Sequence, residues 1–348
     1  MTMNRRNFLK ASGTLGAAAA LTGPTAFWAP RLQAQSRFTG VTYLPQSYKA
    51  LSYGSNGCGE FLQNEGSDVF DVQFYDSGQL LKADEQLPAL RAGNIDFMFH
   101  TTSYVTRSLP ILGITGLPGV VGELYRNPER LALGSPLLEL INDELAKENL
   151  YMISAGRGIL EPEYIWSGPD NPVRSLEDLR GKKVRIVSFE ATEALSAYDV
   201  AAVRIPSSET YVALQRGTID AAIMNISTVV GRSLQEQYAY CYKLPTTAFT
   251  VAPFVLRSTW DEMSNDKREV LEAAGQWYDN NFASYCNDVI YGDEYWPLME
   301  EAGIEMIEPS SEDLTALSEA AQSVRDSWVE EVGSEVGERA IALAMGEA

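Results

Sequence analysis

The segment Ala89-Leu90-Arg91-Ala92-Gly93-Asn94-Ile95-Asp96 returns later in the chain as Ala213-Leu214-Gln215-Arg216-Gly217-Thr218-Ile219-Asp220. Each copy reads as a helix end, a glycine just past the C-cap, and a buried strand that starts at once. The strands are expected over residues 95–99 and 219–224. Two helix–glycine–strand turns of such similar spelling point to two lobes of like architecture, each with its own βα units.

Strands are expected on either side of the first copy, over residues 39–44 and 69–75, the second followed by an Asp76-Ser77-Gly78 turn. A helix over 54–63 is weakened by Gly57 and Gly59. Leu137, Leu138, Ile141 and Leu145 share one face of an amphipathic helix over 136–149. The loop 167–172, rich in Gly, Pro and Asn, marks a crossing between segments. Ser175-Leu-Glu-Asp178 is a capping-box start, and Gly181 ends that short helix. A strand over 183–188 follows. Its alternation puts Val184 and Ile186 on one face and Arg185 on the other. Apolar residues then recur at helical spacing over 264–303. Thirty residues of such a helix would reach about 45 Å, at ~1.5 Å per residue, enough to bridge two lobes. Residues 311–345 read as further amphipathic helix.

The N-terminus addresses the chain for export. Arg5-Arg6-Asn7-Phe8-Leu9-Lys10 has the form of a twin-arginine signal, an Ala/Gly-rich apolar run follows over 11–21, and Leu32-Gln33-Ala34 offers a cleavage site. The mature protein is expected to begin at Gln35 and to reach the periplasm already folded. The net charge is −20. The signal carries four basic residues and no acid, so the mature chain lies near −24. That field repels nucleic acid, which is not expected as a partner. Cys58, Cys241 and Cys286 allow one disulfide without choosing the pair. With His100 as the single histidine, a His-rich zinc site is excluded.

Catalytic signatures are missing. There is no GxSxG elbow, no GxxxxGK[ST] loop and no dinucleotide fingerprint. No enzyme activity, cofactor or metal is expected. The pattern that remains is a cleft between two α/β lobes, closing by hinge motion on a small molecule held at the carboxyl ends of the strands. Residues 44–48, 100–104, 185–189 and 224–227 lie at those ends. Among them Tyr48, Tyr104 and Phe189 are candidate aromatic walls, and Gln46 and Thr102 candidate polar contacts.

The run Ser175 to Arg185 (Ser-Leu-Glu-Asp-Leu-Arg-Gly-Lys-Lys-Val-Arg), with Tyr211-Val-Ala-Leu-Gln-Arg-Gly-Thr-Ile-Asp220, closely resembles a known signature. It is that of the solute receptors of tripartite ATP-independent periplasmic (TRAP) transporters, of the dicarboxylate-receptor type. Gly78-Gln79-Leu80 and Leu90 to Asp96 fit the first-lobe part of that pattern, and the long helix fits the family's lobe-spanning helix. The resemblance implies an α/β, two-lobe periplasmic binding protein fold with residues 35–160 mainly in lobe I and 161–250 mainly in lobe II. Residues 251–348 would cross back to lobe I and supply the spanning and C-terminal helices. It implies a receptor that traps a small organic acid and delivers it to TRAP permease subunits in the membrane. The family's ligand-gripping arginine falls on Arg185, where it would clamp a carboxylate in a two-pronged bond. A second polar contact falls on Asn225. Many members carry a second arginine closer to the strand; here the nearest candidate is Arg157. Glu163, in the loop with Glu161, Tyr164 and Trp166, would suit an aromatic or amine-bearing acid. The competing readings are a receptor for an ATP-driven importer and a periplasmic enzyme on a similar fold.

Overall fold

The computed structural model describes residues 36–347, so the export signal lies outside the described residues. Two sheets organise the chain. The strands are β1 (Ser36–Thr42), β2 (Phe70–Tyr75), β3 (Phe97–Thr101), β4 (Leu150–Met152), β5 (Glu163–Ser167), β6 (Lys183–Arg185), β7 (Ala201–Val203), β8 (Ala221–Met224), β9 (Tyr240–Thr247), β10 (Val251–Leu256) and β11 (Glu305–Ile307). The first lobe holds the order β2-β1-β3-β10-β4, and the second holds β11-β9-β5-β8-β6-β7. Parallel pairs build one flank of each sheet, β2-β1-β3 and β8-β6-β7. In each lobe an antiparallel strand that has crossed over is laid beside them, β10 on β3 and β5 on β8. The chain therefore crosses between β4 and β5, between β9 and β10, and again before β11, which returns the segment after the long helix to the second sheet.

The sequence echo is a structural device used twice. Gly93 and Gly217 take the left-handed conformation, φ +70° and +64°. In each copy the chain then folds back on its helix, with Asn94 N–H on Ala89 O and Thr218 N–H on Ala213 O. The aspartate two residues on clamps the neighbouring strand, in mid-strand on β1 and at the first residue of β6. Asp96 accepts the Thr39 N–H at 2.7 Å and Asp220 accepts the Lys183 N–H at 2.8 Å. The reverse backbone bonds, Asp96 N–H to Thr39 O and Asp220 N–H to Lys183 O, complete each clamp. Asp96→Ala and Asp220→Ala should each cost about 1 kcal/mol, the usual net worth of such a bond. Urea unfolding midpoints would show it. Unchanged midpoints for both variants would remove the clamp from the account of the fold.

The glycines that weakened the first helix have a packing reason. The helix runs Lys49–Glu65, longer than expected. A Cβ on Gly54 would lie 2.3 Å from the Phe282 ring, and one on Gly57 2.3 Å from Trp277. Both aromatics belong to the spanning segment, so the glycines let two helices approach closely. That segment is not one regular helix. Asn265–Asn281 is α-helical, the chain bends at Phe282, and Tyr285–Tyr295 widens into a π-helix before Trp296–Glu301. The break falls where Phe282 is gripped between Gly54 and Gly156. In the π stretch, Asn287 accepts the Glu161 N–H and donates to Ile159 O, which pins it to the crossing between β4 and β5. Residues 311–345 are likewise two helices, Ser311–Val332 and Ser334–Met345, parted at Gly333. Cys58, Cys241 and Cys286 are all free buried thiols, so the possible disulfide does not form. Burial pushes all three thiols up in pKa. Among the described residues no helix is long and apolar enough to cross a membrane.

Candidate functional site

Arg185 is the last residue of β6, paired with Val203 on one side and Ala222 on the other. Alternation aims it away from the packed Val184 face, yet the first lobe covers it and leaves it 2% exposed. Its donors are spread over both lobes. Nε reaches Ile205 O at 3.3 Å and Nη1 reaches Ile223 O at 3.1 Å, both in the second lobe. Nη2 reaches the Tyr104 hydroxyl of the first lobe at 3.3 Å. A guanidinium has five N–H donors, so two remain. Arg185 enters none of the ion pairs among the described residues.

The guanidinium lines a small cavity of about 20 Å³. Tyr43, Tyr48, Tyr104 and Phe249 supply its aromatic walls, and Thr101, Ser103, Ser207 and Thr228 its hydroxyls. Glu163 is the one carboxylate on it. Glu163 begins β5 at a register shift, is 5% exposed, and accepts the Asn225 backbone N–H. Burial pushes its carboxyl up to about 7 against the opposing pull of Arg185 and that N–H.

Beside this cavity opens a larger inter-lobe cleft of about 980 Å³, sharing Tyr43, Tyr104, Val187 and Ser207. Lys82, Arg91, Arg204 and Arg232 stand on it against Asp84 and Glu209. A basic cleft in so acidic a chain favours anions. His100 also lines it, its ring nitrogens set against Thr101 O and Ala83 O, and burial holds its pKa down. The lobes are bonded together along this line. Tyr104 OH accepts the Ser207 N–H, Tyr104 O accepts from Arg204, Tyr48 OH accepts from Arg232, and Ser47 donates to Gly231 O.

Of the residues expected from sequence, Arg185, Glu163, Tyr48 and Tyr104 meet on one cavity. The rest turn elsewhere. Asn225 is fully buried, but its side chain caps the helix Ile226–Gly231, accepting from Ser227, and its amide donates to Glu161 O. Thr102 is tied to Thr115 and Thr250 in the first lobe. Gln46 is exposed and donates to Asp76. Arg157 sits exposed at φ +55°, near Asp279 by the spanning helix. Phe189 is 41% exposed at the start of its helix, with Arg107 over its ring. Tyr43, Ser207, Thr228, Arg232 and Phe249 were not singled out by the sequence: Tyr43 and Thr228 only adjoin the strand-end windows, Phe249 lies on the crossing from β9 to β10, and Ser207 and Arg232 follow β7 and the helix Ile226–Gly231.

Comparison with known proteins follows the same line. The N-terminal residues 2–22 match the twin-arginine translocation signal, which places the protein in the periplasm. A curated solute-binding protein of Albidiferax ferrireducens is 24% identical over 78% of this chain and 79% of its own. The C4-dicarboxylate-binding periplasmic protein of Rhodobacter capsulatus is 25% identical over 79% and 81%. Among solved structures, the TRAP periplasmic solute-binding protein of Ralstonia eutropha with bound (S)-2-acetolactate superposes with TM-score 0.77 at 16% identity. That match covers 90% of this chain and 99% of the other, and so speaks for the fold. Residues 49–331 match the family described as bacterial extracellular solute-binding protein, family 7. The chain belongs to that family, a family of solute receptors rather than enzymes.

Proposed function

We propose that this protein binds a small organic acid between its lobes, with the ligand carboxylate on Arg185, and presents it to the permease subunits of a TRAP transporter. The observation that carries this reading is Arg185 itself. It is a buried guanidinium with unspent donors, outside every ion pair among the described residues, at the end of a basic cleft. Glu163 shares the cavity but makes no ion pair with Arg185, and a ligand carboxylate would engage the open donors directly in a charge-assisted bond. The relatives agree in chemistry. Related receptors hold acetolactate, pyroglutamic acid or galacturonate, all carboxylic acids. The cavity beside Arg185, at about 20 Å³, has room for about one water. Ligand entry therefore requires the lobes to part along the Tyr104–Arg185 and Tyr48–Arg232 bonds. Binding is then a closure equilibrium, shifted by contacts that only the closed state makes.

A thermal-shift screen of residues 35–348 against small organic acids, each beside its amide or ester, tests this. A ligand at about 100 times its Kd adds about 2.7 kcal/mol to the folded state and raises the midpoint visibly. A rise with acids of one class and none with their neutral analogues is expected. Rises only with neutral or cationic solutes would sink the reading.

A further inference from the structure

The same cavity that offers Arg185 to a carboxylate also offers a carboxylate of its own. Glu163 is more than nine-tenths buried, and its carboxylate accepts the Asn225 backbone N–H. A simple carboxylate held by Arg185 would bring a second negative charge into a nearly dry space shared with Glu163. Two carboxylates sharing a site disfavour each other strongly. The hydroxyls of Thr101, Ser103, Ser207 and Thr228 can serve the carboxylate on Arg185, while the aromatic walls are suited to a cation. The rings of Tyr43, Tyr104 and Phe249 line the space, with Tyr43 and Tyr104 at 5.5 Å between centroids. Electron-rich ring faces beside a carboxylate attract an organic cation.

We propose that the ligand is a zwitterionic acid, whose carboxylate is read by Arg185 and whose cationic nitrogen is read by Glu163 and the aromatic walls. This rests on the carboxylate-receptor reading and narrows it. Each buried charge of the cavity then meets its opposite. Such a ligand, neutral overall, adds no net charge to the Arg185–Glu163 cavity, and its carboxylate end meets the basic side chains of the cleft.

The test is calorimetric titration of the mature protein with pairs matched in shape and differing in the nitrogen. Suitable probes are proline with cyclopentanecarboxylate, leucine with 4-methylpentanoate, phenylalanine with 3-phenylpropanoate, and glycine betaine with 3,3-dimethylbutanoate. In at least one pair the cationic member should bind about tenfold tighter or more, a difference of one well-placed charge pair. Glu163→Gln should bring the two members of that pair within about twofold, and Glu163→Asp should restore part of the preference. A ligand-free melt of each variant reports its fold independently. Equal or tighter binding of the nitrogen-free acids, or a preference that survives in Glu163→Gln, would overturn the proposal and leave the receptor reading standing. Binding of no carboxylate of either kind, in these pairs or in the wider acid screen, would overturn both.

Discussion

Arg185→Ala should lose its ligand almost entirely, with Kd weakened from about 30-fold to a few thousand-fold. The range follows from about 2–5 kcal/mol for truncating one partner of a buried charged pair, at 1.4 kcal/mol per factor of ten. The mutation removes the two-pronged donor and leaves the ligand carboxylate desolvated against Ile205 and Ile223 carbonyls. Arg185→Lys should fall between, because an ammonium keeps the charge but loses the planar fork. Calorimetry with the acid identified by the screen measures both. A purely structural arginine would instead lower the melting point and leave affinity intact, and that pattern would refute the assignment.

The second large effect concerns pH. Glu163 titrates near 7 in the folded chain against 4.5 as a free side chain, because burial disfavours its charge. Glu161, Glu190 and Asp279 are raised for the same reason. A carboxyl with a raised folded pKa holds its proton in the native state where the unfolded chain has released it. The folded state then binds more protons, and stability falls as pH rises from about 4.5 through 7. For Glu163 alone, moving from pH 8 to pH 5.5 should add about 2 kcal/mol, or a few degrees in Tm. The repulsion of a strongly acidic chain acts in the same direction. The carboxylates lowered by surface arginines, Glu123, Asp261 and Glu305, respond only below the ordinary carboxylate range and are solvent-screened. Glu163→Gln should therefore melt higher than the parent at pH 8 and close to it at pH 5.5. A parent protein whose Tm rises steadily from pH 5.5 to 8 would contradict this account.

Reading the sequence went furthest where a side chain's role is local. The two helix–glycine–Asp turns are set by φ at the glycine and by backbone bonds to the adjoining helix end, Asn94 to Ala89 and Thr218 to Ala213, so their repetition showed in the spelling. Arg185 was found because alternation on a strand and a matching signature both point to it. Asn225 shows the limit. Its place at a strand end was legible, but not that its amide and carbonyl would be spent on the Glu161 carbonyl and the next helix. Tyr48 and Arg232 stand far apart in sequence and meet only because the lobes fold together. The break in the spanning helix was equally hidden. Helical spacing ran unbroken through 264–303 in the sequence, yet the chain bends at Phe282, whose ring is held by glycines of other segments.

The sealed cysteines have a practical consequence for watching this receptor work. Cys58, Cys241 and Cys286 are buried, and their thiols resist ionisation. Thiol reagents attack the thiolate at an accessible sulfur, so the natural chain is in effect blank to maleimide dyes. A single added cysteine at an exposed position on each lobe away from the cleft, such as Asp68 and Asp170, would carry a donor and an acceptor dye without first stripping the native residues. Opening and closing of individual molecules then becomes directly visible by energy transfer, ligand by ligand.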